Sequence, residues 1–387
     1  MKLTVDRSEL WRGVNTVLDA VASKPAQPVL SNVLLEAEEG QLALSATDLD
    51  LSIRTQVKAA VDRSGRITVP ARTLAEITRE WPEAEIELEL NEGRLVLSGR
   101  LGGAESGEGR YSLAATSPDE FPEMARSLDG VSVDCSGSAE LNGDLLRTMI
   151  DKTSFAVSRD ETRPVLNGVL WRLDSESMVM VATDGSRLAE FRRTLGGSSE
   201  VGEGQTAEVI LPPQVCSQLG KLLDGAELQK ITLGESQALF EMGDTQLLSR
   251  LIEGPYVDYE QVIPRQNDKR LTMAVEQLLP AVRRVSILSS SYTHQVRLGL
   301  DADSVELTAS SQEIGGEAHE VLPADYSAEK LEVAYNSQYL LEVLRKIGSG
   351  DVVVDLRDQV TAAVVRPGEQ AEGEDYYYLL MPMRPSA

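Results

Sequence analysis

The chain has little of what most catalytic or secreted proteins rely on. It has two cysteines, Cys135 and Cys216, far apart in sequence. That fits a reduced, cytoplasmic protein better than a disulfide scaffold. It has two histidines, His294 and His319, and no Cys/His cluster with metal-ligand spacing. No apolar run is long enough to span a bilayer. Met1-Lys2-Leu3 leads straight into amphipathic sequence without a signal-peptide pattern. No Gly-rich phosphate loop or nucleophile motif occurs. Positive charge is scarce: 37 Lys and Arg face 62 Asp and Glu, a net of -25. Taken whole, that argues against a nucleic-acid binder. These absences predict neither metal nor cofactor and weigh against an enzyme, although carboxylates alone can do chemistry.

What is present is a repeat. Pro164-Val-Leu-Asn-Gly-Val-Leu-Trp171 leads to Ala182-Thr-Asp-Gly-Ser-Arg-Leu188, and Pro28-Val-Leu-Ser-Asn-Val-Leu-Leu35 leads to Ala46-Thr-Asp-Leu-Asp50. Pro28 to Thr47 and Pro164 to Thr183 both span 19 residues. A worn third copy, Val296-Arg-Leu-Gly-Leu300 with Leu307-Thr-Ala-Ser-Ser311, keeps the 13-residue interval from Val169 to Ala182 between Val296 and Ala309. Equal intervals in separated segments indicate three copies of one unit. The 387 residues suit three domains of ordinary size. We place them at 1–128, 129–264 and 265–387.

Each copy is expected to hold two helices and about eight strands. In the first, residues 2–5 alternate as a strand. Leu10, Val14, Val17, Leu18 and Val21 then share one face of a helix over 7–24, stopped by Pro25 and Pro28. Strands are expected at 29–36 and 41–47, with alternation continuing through 48–53. A strand ending in Pro70 leads to a helix over 70–81. Strands follow at 84–90, 94–98 and 111–115, with a mobile Gly- and Glu-rich loop at 102–109 and a linker at 117–122. The second copy repeats this order with helices over 141–157 and 212–224 and a linker at 254–264. The third has helices over 274–285, bent or delayed by Pro280, and 336–348, and ends on a strand at 376–381. Alternating strands and one-faced helices predict an α+β protein of three similar domains, each with two helices packed on antiparallel sheets.

Charge is not spread evenly. The six expected helices hold 12 basic and 9 acidic residues, while the rest of the chain holds 25 basic and 53 acidic. Helices gathered on one surface would make it mildly basic on an acidic body. Such a surface tolerates phosphates without gripping them.

Here the sequence resembles a known family, the beta subunit of bacterial DNA polymerase III, the sliding clamp. The resemblance covers the whole chain. It is most specific at Leu166-Asn-Gly168, Ala182–Leu188, Asp258-Tyr259 with Val262-Ile-Pro264, and Met381-Pro-Met-Arg384. It implies the DNA clamp fold: a ring-shaped head-to-tail homodimer with helices inside, encircling duplex DNA without sequence preference. Such a ring is non-catalytic. It tethers polymerase subunits, a clamp loader and other replication or repair proteins, which bind it through short peptides.

The resemblance also assigns sites. A peptide-binding cleft would be lined by Leu166, Thr183, Gly185, Arg187, Leu188, Val257, Val262, Leu379, Met381, Pro382, Met383 and Arg384. Apolar walls with a few polar groups suit a short peptide. DNA contacts would come from Lys24, Arg159 and Arg163 in loops and from Arg72, Arg79, Arg147, Lys152 and Lys221 on helices. Tyr111 and Leu113 of the first domain would meet Ile287 and Leu288 of the third domain of the other chain in the dimer. Ser186, Val257, Gln261, Ala362 and the tail Pro385-Ser-Ala387 depart from the common pattern and bear on the cleft's specificity. Asp48 and Asp50, two apart on a strand, share a face as a metal-holding pair would. Leu49 and Leu51 opposite them are what any half-exposed strand demands, and we prefer that reading. Two other functions compete: a peptide-binding adaptor that never encloses DNA, and a carboxylate-based hydrolase. The basic bias of the helices disfavours the first, and the lack of a polar cluster that breaks the repeat disfavours the second.

Overall fold

The computed structural model describes all residues except 23, 26, 83, 102–106, 139–140, 196–205, 314 and 385–387. Ser23, most of the expected 102–109 loop and the tail after Arg384 therefore lie outside the described residues. Among those described there are six α-helices: α1 Arg7–Leu18, α2 Ala71–Glu80, α3 Gly143–Thr153, α4 Pro213–Leu222, α5 Val275–Val285 and α6 Ser337–Ile347. Four antiparallel sheets accompany them. The chain falls into two compact units, residues 1–144 with 217–251 and residues 145–216 with 252–387. No helix among the described residues is long and apolar enough to cross a membrane.

The first unit holds a five-stranded sheet in the order Ala60–Arg63, Lys2–Asp6, Glu85–Asn91, Arg94–Arg100, Glu108–Ala114. Its eight-stranded sheet runs Val131–Asp134, Leu228–Leu233, Gln237–Met242, Thr245–Arg250, Leu51–Lys58, Gln41–Thr47, Asn32–Glu38, Gly65–Pro70. Helix α1 starts where the Asp6 carboxylate accepts from the Ser8 N–H at 2.8 Å. It buries Leu10, Val14 and Val17. Gly13 lets the helix lie close to the sheet, since a Cβ there would stand 2.7 Å from a Leu44 methyl. The helix ends at Leu18, not at residue 24. The Ala20 and Val21 N–H groups reach back only three residues, to Val17 and Leu18, and that tighter turn ends it. Val21 stays buried, which is why the apolar period runs on beyond the helix. Arg7 donates to the Thr78 and Arg79 carbonyls and so caps the end of α2.

Two further expectations in this unit fail. Pro28–Ser31 is a 3₁₀ turn, not the start of a strand, and its counterpart Pro164–Asn167 is another. Both bury apolar side chains without pairing, so hydrophobicity alone mimics a strand. Asp48-Leu49-Asp50 is a tight turn, with Leu49 at φ +83°. The Asp48 carboxylate accepts from the N–H groups of Asp50 and Leu51 at 3.0 and 2.7 Å. Its role is to close the turn, and the shared strand face assumed for Asp48 and Asp50 does not exist.

The second unit holds a nine-stranded sheet in the order Ala207–Leu211, Val169–Leu173, Ser177–Thr183, Arg187–Thr194, Glu374–Leu380, Ala363–Pro367, Asp351–Leu356, Lys269–Ala274, Asp325–Tyr326. A four-stranded sheet runs Gly316–Pro323, Ser304–Ser311, Gln295–Asp301, Leu331–Asn336. Helix α5 begins at Val275 and runs through Pro280, so the proline does not delay it. Asn336 caps α6 by accepting from the N–H groups of Gln338 and Tyr339.

Strands from different sequence copies share sheets. In the first unit Thr245–Arg250 pairs with Leu51–Lys58, and in the second Glu374–Leu380 pairs with Arg187–Thr194. These joints cover strand edges that would otherwise be open to aggregation.

Candidate functional site

The site lies at the second unit's joint. Ser177–Thr183 and Arg187–Thr194 are joined by a turn that Thr183 and Asp184 build. The Thr183 hydroxyl donates to the Arg187 carbonyl at 2.6 Å and accepts from the Gly185 N–H at 3.1 Å. The Asp184 carboxylate accepts from the Ser186 and Arg187 N–H groups at 2.8 and 3.1 Å. Gly185 sits at φ +91°, the conformation that costs glycine least. Beyond the turn, the Met381 N–H donates to the Ser186 carbonyl at 2.9 Å.

These elements enclose a cleft of about 250 Å³. It brings together Leu166, Thr183, Gly185, Arg187, Leu188, Val257, Val262, Leu379 and Met381, nine of the twelve expected residues, and adds Arg163, Asp258 and Tyr259. Beneath it Leu188, Leu379, Tyr259, Val181 and Val364 form a buried cluster. On its rim Val257, Val262 and Met381 remain 41%, 58% and 47% exposed. Apolar side chains left wet beside a preformed hollow mark a binding surface. Pro382, Met383 and Arg384 do not line it. The Met383 N–H donates to the Ala334 carbonyl at 2.7 Å, which draws the tail away along Leu331–Asn336.

Arg187 is a structural member of the cleft wall. It is only 9% exposed. Its guanidinium meets the carboxylates of Asp184 and Glu342, donates to the Phe155 carbonyl, and lies over the Tyr339 ring at 4.3 Å. The outer wall is fixed by Arg172, which donates to the Tyr259 hydroxyl at 3.0 Å and bridges to Glu208 and Glu260. Behind that wall the Tyr377 hydroxyl donates to the buried Glu190 carboxylate at 2.6 Å. Burial pushes the Glu190 carboxyl above the usual range, against the pull of that hydrogen bond and of Arg192. Burial also pushes the Tyr259 phenol up to about 12, so it stays a neutral hydroxyl.

The expected DNA-facing residues divide into two groups. Lys24, Arg72, Arg79 and Arg159 are exposed. Arg79 pairs with its neighbour Glu80. Arg163 is exposed but bridges to Asp160 and lines the cleft as well. Arg147 is half-buried. Lys221 pairs with Asp19 at 2.9 Å. Lys152 turns inward: its ammonium donates to the Lys346 carbonyl and the Tyr376 hydroxyl and lies over the Tyr376 ring, and burial lowers its pKa. Cut to their observed ends, the six helices hold 11 basic and 7 acidic residues, so the basic bias survives.

Of the expected dimer residues, Tyr111 and Leu113 lie on Glu108–Ala114, the edge strand of the five-stranded sheet, with Tyr111 packed 5.3 Å from Trp81. Ile287 is 69% exposed, and Leu288 abuts Gly316 on the edge strand of the four-stranded sheet. Cys135 and Cys216 are free and buried, and burial pushes both thiols up to about 12. No group of acidic, His or Cys side chains able to hold a metal occurs among the described residues.

Sequence reasoning placed Arg163 only on DNA and missed Asp258 and Tyr259 as lining. The signal was the Asp258-Tyr259 pair. Its Tyr259 opens a 3₁₀ turn, Tyr259–Val262, that lays this segment beside the cleft.

A repeated α+β chain with a preformed apolar cleft at a sheet joint, its rim side chains left exposed, has the build of a docking protein. Comparison with known proteins agrees and is more specific. The N-terminal, central and C-terminal domains of the DNA polymerase III beta subunit match residues 1–125, 140–258 and 260–384. Beta sliding clamps of Synechococcus elongatus and Escherichia coli are 32% and 31% identical to it, each match covering 99% of this chain and 99% and 100% of the relative. The crystal structure of the Pseudomonas aeruginosa clamp superposes with a TM-score of 0.88 at 31% identity over 100% of both chains. That of the Bartonella birtlesii clamp, bound to griselimycin, does so with 0.88 at 32% over 100% of both. The chain belongs to the DNA polymerase III beta subunit family, the bacterial sliding clamps, whose members are non-catalytic processivity factors of DNA replication.

Proposed function

We propose that two copies of this cytoplasmic protein close head to tail into a ring around duplex DNA, and that the cleft takes short peptides from the polymerase, the clamp loader and repair proteins. The three domains would run 1–128, 129–264 and 265–387. A head-to-tail contact whose rotation closes gives a ring and not a filament. The free edges Glu108–Ala114 and Gly316–Pro323 are the surfaces for it, with Tyr111 and Leu113 of one copy against Ile287 and Leu288 of the other.

The observation that carries the reading is the charge partition. The helices of a chain with net charge -25 keep more basic than acidic residues. Gathered on the inner face of the proposed ring, these helices would let DNA pass but hold it weakly, as sliding requires. Lys24, Arg72, Arg79, Arg147, Arg159 and Arg163 are the proposed contacts. Lys152 contributes less, because its ammonium is turned inward onto the Lys346 carbonyl and the Tyr376 hydroxyl, whereas Lys221, like Arg79 and Arg163, has an exposed carboxylate partner to exchange for a phosphate. The cleft walls Leu166, Leu188, Leu379 and Met381 take the apolar side chains of the peptide. Tethering raises a polymerase's effective concentration at the primer end with no tight grip on DNA. The test is retention on nicked circular DNA against the same DNA linearised, after loading by a compatible loader. Retention on the circle with loss from the linear ends is expected. Equal retention on both would overturn the topological mechanism, and retention on neither with an active loader would favour a peptide adaptor.

A further inference from the structure

Each of the three repeats ends on a strand whose place can be read across its sheet. In the first repeat a row of cross-strand neighbours runs Leu3, Leu88, Leu97, Tyr111. In the second it runs Val133, Ile231, Phe240, Leu247. In the third it runs Leu271, Val354, Val365, Tyr378. The rows are equivalent. Leu3 and Leu271 stand three residues before Asp6 and Ala274, which cap α1 and α5. Leu88 and Ile231 stand four residues before the two-residue turns Glu92-Gly93 and Glu235-Ser236. The repeat's own alanines mark the other side of a joint. Ala46 lies opposite Ile53, Ala182 opposite Ala189, and Ala309 opposite Ala318.

Two of these row ends already sit in a joint. Leu247 lies opposite Ile53, and Tyr378 lies opposite Ala189. Both joints are antiparallel, and counted within the repeat their register is the same. Leu247 and Tyr378 are buried in them. Among the described strands one row end and one partner remain, Tyr111 and Ala318. They lie on the edge strands Glu108–Ala114 and Gly316–Pro323. Tyr111 is 44% exposed, the state of a row end whose joint is not yet made.

We propose that the head-to-tail ring, on which this inference rests, closes by making the third joint between protomers in the register of the other two. Tyr111 of one protomer then lies opposite Ala318 of the other, Leu113 opposite Gly316, Arg110 opposite His319 and Ser112 opposite Glu317. Tyrosine faces alanine here as Tyr378 faces Ala189. Gly316 leaves room for Leu113 to reach Leu288, since a Cβ on Gly316 would stand 3.1 Å from a Leu288 methyl. On the outer face the exposed Arg110 and Glu317 are diagonal neighbours, within reach of a long side chain. Glu306, 2.6 Å from the His319 ring, offsets the like charge that a protonated His319 would present to Arg110. A slip of two residues keeps every side chain on its face. It would set Arg110 directly opposite Glu317 and Tyr111 opposite Gly316, and it breaks the repeat.

The test places cysteine pairs on the edges of the full chain. Arg110→Cys with His319→Cys marks the proposed register, and Arg110→Cys with Glu317→Cys marks the slipped one. Ser112→Cys with Glu317→Cys repeats the proposed register with Arg110 kept. The natural thiols of Cys135 and Cys216 are buried and pushed up to about 12, so they stay out of the reaction. Residues opposite each other lie about 4.5–5.5 Å apart, within a disulfide's reach, and diagonal neighbours about 7–8 Å apart, beyond it. After oxidised glutathione, both in-register variants should run as covalent dimers on a denaturing gel without reductant. They should give at least about tenfold more of that dimer than the slipped variant. Sedimentation of the unaltered chain and the variants tests the ring separately. Covalent dimer mainly in the slipped variant, or in none while all sediment as dimers, would overturn the register and leave the ring standing. An unaltered chain that sediments as a monomer at every concentration would overturn the ring, and this joint with it.

Discussion

The joint at Leu51–Lys58 and the joint at Arg187–Thr194 are built alike, and only the second carries the apolar cleft. In each a Thr-Asp turn precedes the inner strand, with the same backbone N–H groups donating to the Thr47 or Thr183 hydroxyl and to the Asp48 or Asp184 carboxylate. In each an N–H from the adjoining strand closes onto the turn, Arg250 to the Asp50 carbonyl and Met381 to the Ser186 carbonyl. The side chains then diverge. Gly185 leaves the turn bare, whereas Leu49 occupies the same left-handed position with a side chain. Met381 and Ser186 leave an apolar lip, whereas Arg250 and Asp50 face each other as an ion pair at 3.9 Å. The backbone thus provides a mouth twice, and a handful of side chains decide whether a peptide meets apolar walls or charge.

The sharpest way to break this comparison is at Arg187, whose counterpart is the buried Leu51. Arg187→Ala removes the partner of Asp184 and Glu342 and should cost about 3–5 kcal/mol in denaturant unfolding. A loss under about 1 kcal/mol would mean that the arginine does not hold the cleft wall. Next come the two buried carboxylates beside the joints, Glu36 paired with Arg54 and Glu190 satisfied by the Tyr377 hydroxyl. Glu36→Gln and Tyr377→Phe each unmatch one buried group, and each should lower stability by about 1–3 kcal/mol. If only one of them does, the two centres are not equivalent.

A smaller effect is set by pH. Burial raises the Glu190 pKa, so the folded state holds that proton more tightly than the unfolded chain. Its contribution to stability is greatest below the ordinary glutamate value. It declines as pH rises from there through the raised folded value, and is constant above. Relative to Glu190→Gln, the unaltered chain should lose Tm across that window, and parallel Tm curves would contradict the burial of a titrating carboxylate. The smallest change is expected from Lys221→Ala. An exposed pair with Asp19 is worth within about 0.5 kcal/mol, so unfolding should hardly move, and a large loss of stability would show that the pair holds the first unit together.

Much of this was legible in sequence because it is local. The 19-residue interval from proline to threonine and the helix periods sit in contiguous stretches whose pattern survives in all or most copies, and the cleft's Leu166, Thr183, Gly185 and Leu188 came from the family resemblance that those stretches carry. What escaped is non-local or arises from competing local chemistry. Nothing local in Thr245–Arg250 says that it pairs with Leu51–Lys58. The apolar Val29 and Leu30 suit a strand as well as the 3₁₀ turn they form. The alternation through Asp48 and Asp50 gave way to hydrogen bonding by the Asp48 carboxylate. Lys152 reads as a solvated helix cation, yet packing against Tyr376 turns it inward.

The most direct measurement transplants one joint's lip onto the other. Ser186→Asp with Met381→Arg places the Asp50–Arg250 pair at the mouth of the cleft. Calorimetric titration of the unaltered chain, with a short peptide from a polymerase subunit that the loaded ring retains on DNA, should give one site per chain. The double variant should unfold at the same temperature and show no binding to that peptide. Unchanged binding in the double variant would contradict the claim that these few side chains, and not the shared backbone, make the functional cleft.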